Sequence, residues 1–332
     1  AIDFINRPRQ KPFLLYVGYN APYGLDDDMR AGHQNRHTDY YADKELACFP
    51  REEAHPWLKQ NRDCIGNITA MRSYACAVSG VDDGVGSVLN ALTARGLEQD
   101  TLVIFTADHG FCAGHHGMWG MGDHSRPLHM FQDNLRVPFI FRHPGAIPAD
   151  GVIDAMICHY DFYPSLLAYL GIKHPATIPL PGRSYAEALR GQEFGRGNGM
   201  TFHEFENTRA VQTPHWKLVL RHPDGPHELY DMVNDPMELR NLFDEPGYAD
   251  TRSHLAAELN NFFRTYSDPR YDLWHGGRSK AGRIIGRNDC TSQTTRLPLC
   301  FTIDSTRALR PQRFNRRTSP SSRRARLTVM PS

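Results

Sequence analysis

Residues 101–122, TLVIFTADHGFCAGHHGMWGMG, set a carboxylate and an imidazole, Asp108 and His109, directly behind a short apolar run. Such a pair can ligate a divalent cation, and the glycines that follow let backbone and side chains approach a bound anion closely. His116 adds a further imidazole to the same loop. Taken alone, Asp-His-Gly equally describes a turn in which Asp108 caps a helix and His109 meets solvent, and His116 can be a ring satisfied by backbone. The chemistry therefore depends on the elements that hold these side chains.

TLVIFTAD reads as a strand buried on both faces, as does RVPFIFRHP at 136–144, and KPFLLYVGYNAP at 11–22 is a strand running into a loop. From Ile68 to Arg95, the apolar residues Tyr74, Val78, Val81, Val85, Val88, Leu89 and Leu92 recur at spacings of three and four, and Gly96 is placed to end that helix. Gly80, Gly84 and Gly86 weaken its propensity and point instead to close packing. DFYPSLLAYLG at 161–171 is a short helix with a proline in its first turn. Helices alternating with strands imply a parallel sheet covered by helices, and ligands of such sheets gather at the carboxyl ends of strands, where Asp108 and His109 stand.

After IPLPGRS the pattern changes. HWKLVLR and HELYDM read as antiparallel strands, followed by a helix with Leu255, Leu259, Phe262, Phe263 and Tyr266 on one face. The fold class expected is α/β: a mostly parallel sheet flanked by helices over residues 1–195, and a small C-terminal α+β unit with antiparallel strands over 196–280. Residues 23 to 67 read as a polar surface excursion. The stretch 281–332, rich in Arg, Ser, Thr and Pro, reads as a disordered tail.

The chain has 332 residues, 40% hydrophobic and 23% charged, with a net charge of +1, so bulk charge gives no case for a nucleic-acid partner or a membrane surface. No apolar run reaches the roughly 18 residues of a membrane span. Seven scattered cysteines lack CxxC spacing, which leaves the redox compartment open and argues against a zinc ribbon.

Several blocks, in order, resemble the sulfatase family of the alkaline phosphatase superfamily from about Lys11 to about Trp274. PFLLYVGYNAP looks like the family's strand and loop ending in Asn-Ala-Pro-His. YACAVSGVDDGVGSVLNAL resembles the helix before its metal strand, and TLVIFTADHG the metal strand itself. GHHGMWGMG is similar to its Gly-Glu-His-Gly-x-Trp-Gly-Lys-Gly loop. LRVPFIFRHPG, CHYDFYPSLLAYLGI and ELYDMVNDPMELRNL look like later family segments. The resemblance implies an alkaline phosphatase-like fold and hydrolysis of sulfate monoesters, on a small molecule or a glycan. It makes Asp108 and His109 two ligands of a divalent cation, calcium by family, and His116 the loop histidine. Asp82 and Asp83 make structural hydrogen bonds. A periplasmic or secreted setting goes with the full-length family pattern.

The sequence departs from that pattern in three places. The family makes its formylglycine nucleophile from Cys-x-Pro-x-Arg ahead of the Asn-Ala-Pro strand, and neither that motif nor the first pair of metal aspartates precedes Phe13. Cys48-Phe49-Pro50-Arg51 places its arginine one residue early, and Ser319 to Arg323 fits only a loosened pattern. Tyr23 stands where the family has histidine, and Met121 where it has lysine, so a charged anion contact is replaced by an apolar side chain. Arg126 is the nearest candidate to take over that contact. These departures lead to the expectation of an N-terminally truncated or inactive member. Two other readings stay open: a phosphodiester or phosphonate ester hydrolase of the same superfamily, and a non-catalytic binder of sulfated glycans.

Overall fold

The computed structural model describes residues 1–23, 27–32, 34–174, 179–194, 199–277 and 326–330. Most of the expected tail, and the boundary at residue 195, lie outside these residues. A helix, α1 (Ile2–Asn6), precedes the first strand, β1 (Leu14–Tyr16). The excursion carries α2 (Asp27–Ala31) and α3 (Thr38–Tyr41). The long helix α4 (Ile68–Ala94) begins where the Asn67 side chain accepts from the Thr69 and Ala70 amides. It ends where Gly96, at φ +61°, lets the Leu97 amide reach the Leu92 carbonyl. β2 (Thr101–Thr106) follows, then a long loop holding β3 (Cys112–Ala113), β4 (Trp119–Gly120) and the short helix α5 (Gln132–Leu135). β5 (Phe139–Arg142) and α6 (Phe162–Leu170) complete the first unit.

β2 sits inside a four-stranded sheet whose alternate residues serve two layers. Val103 packs with Phe13, Val88 and Leu92 under α4, while Leu102 and Ile104 pack with Tyr169, Tyr185 and Leu189 on the α6 side. Burial on both faces is what the unbroken apolar run anticipates. β5 runs antiparallel to β2, so the sheet is parallel in its other pairings only. Those pairings involve β10 (Arg326–Met330), which lies between β1 and β2 and parallel to both. These five residues belong to the stretch 281–332, the rest of which lies outside the described residues.

The second unit is a four-stranded antiparallel sheet, β6 (Thr201–Phe205), β7 (Thr208–Gln212), β8 (Trp216–Arg221) and β9 (Glu228–Asp231), in that spatial order. Two of these strands, β6 and β7, add to the expected pair. The helix α7 (Ala249–Tyr266) buries Leu255, Leu259 and Phe263 against Val211, Leu218 and Leu229. The opposite sheet face meets Met130 through Ala210 and Val219. Among the described residues no helix is long and apolar enough to cross a membrane.

The excursion is more than solvated chain. Met29, Leu58 and Cys64 are buried, and the Asn35 amide donates to the Cys76 carbonyl of α4. Arg36 and His37 both pair with Asp83, as its structural reading requires. Of the three helix glycines, Gly84 faces the Tyr19 ring with no room for a Cβ and Gly80 meets the Asn35 amide, whereas Gly86 has nothing within 4 Å. Close packing therefore accounts for two of the three.

Residues 50–59 of the excursion lie along the glycine-rich loop. His55 donates to the Gly117 carbonyl at 2.9 Å, Lys59 to that of His124, and the Arg126 amide to that of Trp57. Gly114 and Gly117 make this approach feasible, since a Cβ on either would fall 2.2 Å from the Pro50 carbonyl or 2.0 Å from that of Glu53, and both have positive φ. Replacing Gly117 with alanine is expected to lower stability by more than about 2 kcal/mol. Gly86→Ala is expected to raise it by about 0.5–1 kcal/mol. Urea unfolding of the two variants checks this, and equal effects would contradict the clamped loop.

Candidate functional site

Asp108 and His109 follow β2 directly and stand at the carboxyl end of an interior strand, as the sequence predicts. The Asp108 side chain is 70% exposed and that of His109 36%. The Asp108 carboxylate accepts from the His109 amide at 3.0 Å and lies 3.7 Å from its Nε2. His109 Nδ1 sits 2.8 Å from the Gly110 carbonyl, which only accepts, so Nδ1 carries the proton and Nε2 keeps its lone pair in the neutral ring. That orientation suits a cation ligand.

The loop is closed on itself by Asn134, 7% exposed, which sequence reading did not single out. Its carbonyl accepts from the Gly110 amide, and with the side-chain amide assigned so that its nitrogen faces Gly110, which satisfies both ends, it bridges the Gly110 carbonyl at 3.2 Å and the Gly122 amide at 3.1 Å. A Cβ on Gly110 would fall 2.1 Å from the Asp133 carbonyl, and one on Gly122 would fall 2.6 Å from that of His129. Met121 is thereby held one residue from the bridge that anchors Gly110. No polar contact of its side chain is available to replace a lysine ammonium.

His116 lies in the short turn His115–Gly117 of the glycine-rich loop. Its ring stacks on Phe131 at 3.9 Å and 6°, and its Nε2 lies 3.3 Å from Asp133 Oδ2, an imidazole contact that holds the Asp133 carboxyl below its usual range. It opens onto a cleft between the excursion and the second sheet whose lining includes none of Asp108, His109, Tyr23, Met121 or Arg126. The stack on Phe131 and the contact with Asp133 fix the orientation of this ring. Tyr23 is 51% exposed beyond β1. Arg126 donates to the Asp123 and Ser125 carbonyls of its own loop, which occupies one of its terminal nitrogens.

Of two histidines outside the expected set, His159 lies near Asp108 and His203 lies near His159. His159 starts the turn before α6, and burial lowers its pKa against the opposing pull of the Asp108 charge. His203 of β6 is pushed down to about 3 by burial, with Lys217 and His159 adding to the effect. Both come from far along the chain, and nothing in their local sequence marks them. Among the described residues no three His, Cys, Asp or Glu side chains are arranged to hold a metal ion. Calcium takes about six to eight mainly oxygen ligands, so Asp108 and His109 do not by themselves fit a complete centre.

Buried charges fix this loop against the second sheet. Lys217, 0% exposed, donates to the Met130 carbonyl and pairs with Glu238 at 2.5 Å, while Glu238 accepts from the Gln132 amide at 2.6 Å. Arg221 donates to the Leu128 carbonyl at 2.9 Å and pairs with Glu228 at 3.1 Å. Lys217→Met leaves Glu238 buried and unpaired, and is expected to lower stability by about 3–5 kcal/mol. Adding Glu238→Gln removes the stranded charge and keeps an acceptor for Gln132, so the double variant should recover at least half of that loss in thermal or urea unfolding. A double variant no better than the single one would show that the pair is not what matters.

The sequence model described as Sulfatase matches residues 1–172, and one described as N-sulphoglucosamine sulphohydrolase, C-terminal, matches 117–265. An uncharacterized sulfatase, YidJ, of Escherichia coli is 30% identical over 283 residues, covering 81% of this chain and 55% of its own. An N-acetylglucosamine-6-O-sulfatase of Bacteroides thetaiotaomicron is 28% identical over 208 residues, 60% of this chain and 36% of its own. The crystal structure of a putative sulfatase from Bacteroides fragilis superposes with a TM-score of 0.65 at 25% identity, covering 81% of this chain and 57% of that one. The chain spans about half the length of the first of these relatives or less. Together with the Asp108-His109 strand end and the glycine loop folded over it, the match across residues 1–172 makes the chain a member of the sulfatase family.

Proposed function

We propose that this chain forms part of the active centre of a sulfate-monoester hydrolase acting on a small-molecule or glycan sulfate ester. The observation that supports this most is the placement of Asp108 and His109 at the carboxyl end of β2, with His109 Nε2 left as a lone-pair donor by the Nδ1 contact to Gly110. A divalent cation, calcium by family, would take both as ligands and would supply charge stabilisation to sulfate oxygens. The two side chains do not complete its coordination sphere, and no step is assigned through it. The glycan sulfatase named among the relatives supports the substrate class. What this chain's own residues contribute is orientation: Asn134 holds Gly110 and Gly122 together, so the Asp108 turn and Met121 keep a fixed spacing.

No Cys-x-Pro-x-Arg or Ser-x-Pro-x-Arg occurs in the 332 residues, so the chain expressed as given should show no turnover of an aryl sulfate. Turnover that persists after purification and survives Cys48→Ala would overturn this. Turnover abolished by Cys48→Ala would make that exposed cysteine the nucleophile.

Met121→Lys adds a charge at the position facing the anion in the family pattern. It should tighten inorganic sulfate binding about tenfold in calorimetric titration, while Arg126→Ala does little. The reverse outcome would transfer the anion contact to Arg126. Indifference to both would place the anion away from this loop.

A further inference from the structure

Among the non-glycine residues of 110–122, His116 alone has a positive φ, +56°, a backbone region that strains such a side chain. Strain of this kind persists only where the surroundings over-determine it. Two contacts do so. The ring lies on Phe131 at 3.9 Å and 6°, and its Nε2 faces Asp133 Oδ2 at 3.3 Å, with the side chain 6% exposed. No hydrogen-bond partner among the described residues competes for that buried nitrogen. Asp133 belongs to α5, and each of the first three residues of this turn has its own anchor. The Gln132 amide donates to Glu238, Asp133 meets His116, and Asn134 holds Gly110. The Gly110 amide donates to the Asn134 carbonyl at 2.9 Å, and a Cβ on Gly110 would fall 2.1 Å from the Asp133 carbonyl and 2.5 Å from that of Arg136. The Gly110 carbonyl then meets two ring or amide nitrogens, that of the Asn134 side chain at 3.2 Å, in the orientation that satisfies both ends of the amide, and His109 Nδ1 at 2.8 Å.

An anchor at Gln132 alone leaves a turn of 4 residues free to roll about it, whereas a second anchor at Asp133 fixes where Asn134 points. We propose that His116 is a positioning residue for His109: through Asp133 and Asn134 it holds the Gly110 carbonyl where that carbonyl keeps the His109 proton on Nδ1 and the Nε2 lone pair free. His116 acts through these residues and is not itself a ligand. In a neutral imidazole the tautomer follows the hydrogen bond that the other nitrogen makes, so moving the Gly110 carbonyl changes which nitrogen can donate a lone pair. The inference rests on the reading of His109 as a cation ligand and deepens it, by naming what sets the state of the ligating nitrogen.

Nitrogen NMR of the whole chain, with isotopically labelled histidine and in alkaline buffer, tests this without a cation. The His109 signals are those lost in His109→Gln. In the unmodified chain His109 is expected to be mostly the Nδ1–H tautomer. His116→Phe keeps an aromatic ring on Phe131 and removes the Asp133 contact. Asp133→Ala removes the same contact from its partly exposed partner and leaves the strained His116 backbone alone, so it serves where the phenylalanine variant fails to fold. Each should lower the Nδ1–H fraction at least about twofold, and the two together should do no more than either alone. Leu259→Ala, in the core beneath α7, should lower stability and leave the tautomer unchanged. Calcium, titrated calorimetrically, should bind about tenfold more weakly to both loop variants. A His109 that is mostly Nε2–H in the unmodified chain, a tautomer unmoved by either loop variant, or one moved as far by Leu259→Ala would each overturn the positioning role. Unchanged calcium affinity beside a shifted tautomer would overturn its link to ligation. A tautomer that shifts as expected in a chain that binds no calcium sustains the positioning role and overturns the cation reading instead.

Discussion

Two cationic side chains with almost no contact with water, Lys217 and Arg221, hold the molecule's functional half in one arrangement. Both rise from β8 and reach the carbonyls of Met130 and Leu128, on the segment that follows the glycine loop. A charge taken out of water is tolerable only where fixed acceptors and a counter-charge meet it, so the second sheet has one docking position on this segment rather than a family of them. Glu238 enforces this from two directions, pairing with Lys217 and accepting from the Gln132 amide. The next two residues after Gln132 extend the constraint. Asp133 engages His115 and His116, and Asn134 bridges Gly110 and Gly122. A continuous set of polar contacts thus runs from β8 to the turn that bears Asp108.

On its other side the same loop is held by close backbone approach together with uncharged side-chain contacts, such as Phe49 on Trp119 and Leu58 with Met118. Residues 50–59 approach it so closely that side chains are excluded at Gly114 and Gly117. The two restraints differ in kind: one would be lost by removing a charge, the other by adding a methyl group. Between them the loop has little room to relax, and the excursion and the second sheet also meet each other, where Arg221 lies over the Trp57 ring at 5.2 Å.

The parts legible in the sequence are those whose physics is local. Ile68–Ala94 announces itself through apolar spacing, an asparagine cap and a terminating glycine, and Thr101–Thr106 through an apolar run that only two-sided burial explains. Asp108 and His109 are legible because they sit at the end of that strand. What is hidden depends on distant partners. Lys217, Arg209 and Arg221 look like solvated residues in sequence, yet each is at most 1% exposed, because its partner lies across a sheet or on another element. Asn134, His159 and His203 carry no local signal for the same reason. The excursion reads as polar surface because its anchors, Met29, Leu58 and Cys64, are too sparse to form a period. The strand Arg326–Met330 is masked by the arginine-rich composition around it, and its place between β1 and β2 is set by edges that pair with it rather than by its own pattern.

The exchange of lysine for Met121 changes where an anion's charge could be balanced. Between Thr101 and Arg126 the basic groups are four histidines and Arg126, and the histidines other than His109 face inward: His115 and His116 toward Asp133, and His124 toward Asp123 at 2.9 Å. Arg126 spends part of its guanidinium on its own loop's carbonyls. Under the proposed function, with no ammonium at 121, compensation of a sulfate on this loop would fall chiefly to a cation shared by Asp108 and His109, and an anion site resting on a bound cation is more sensitive to that cation's loss than one that also holds a lysine.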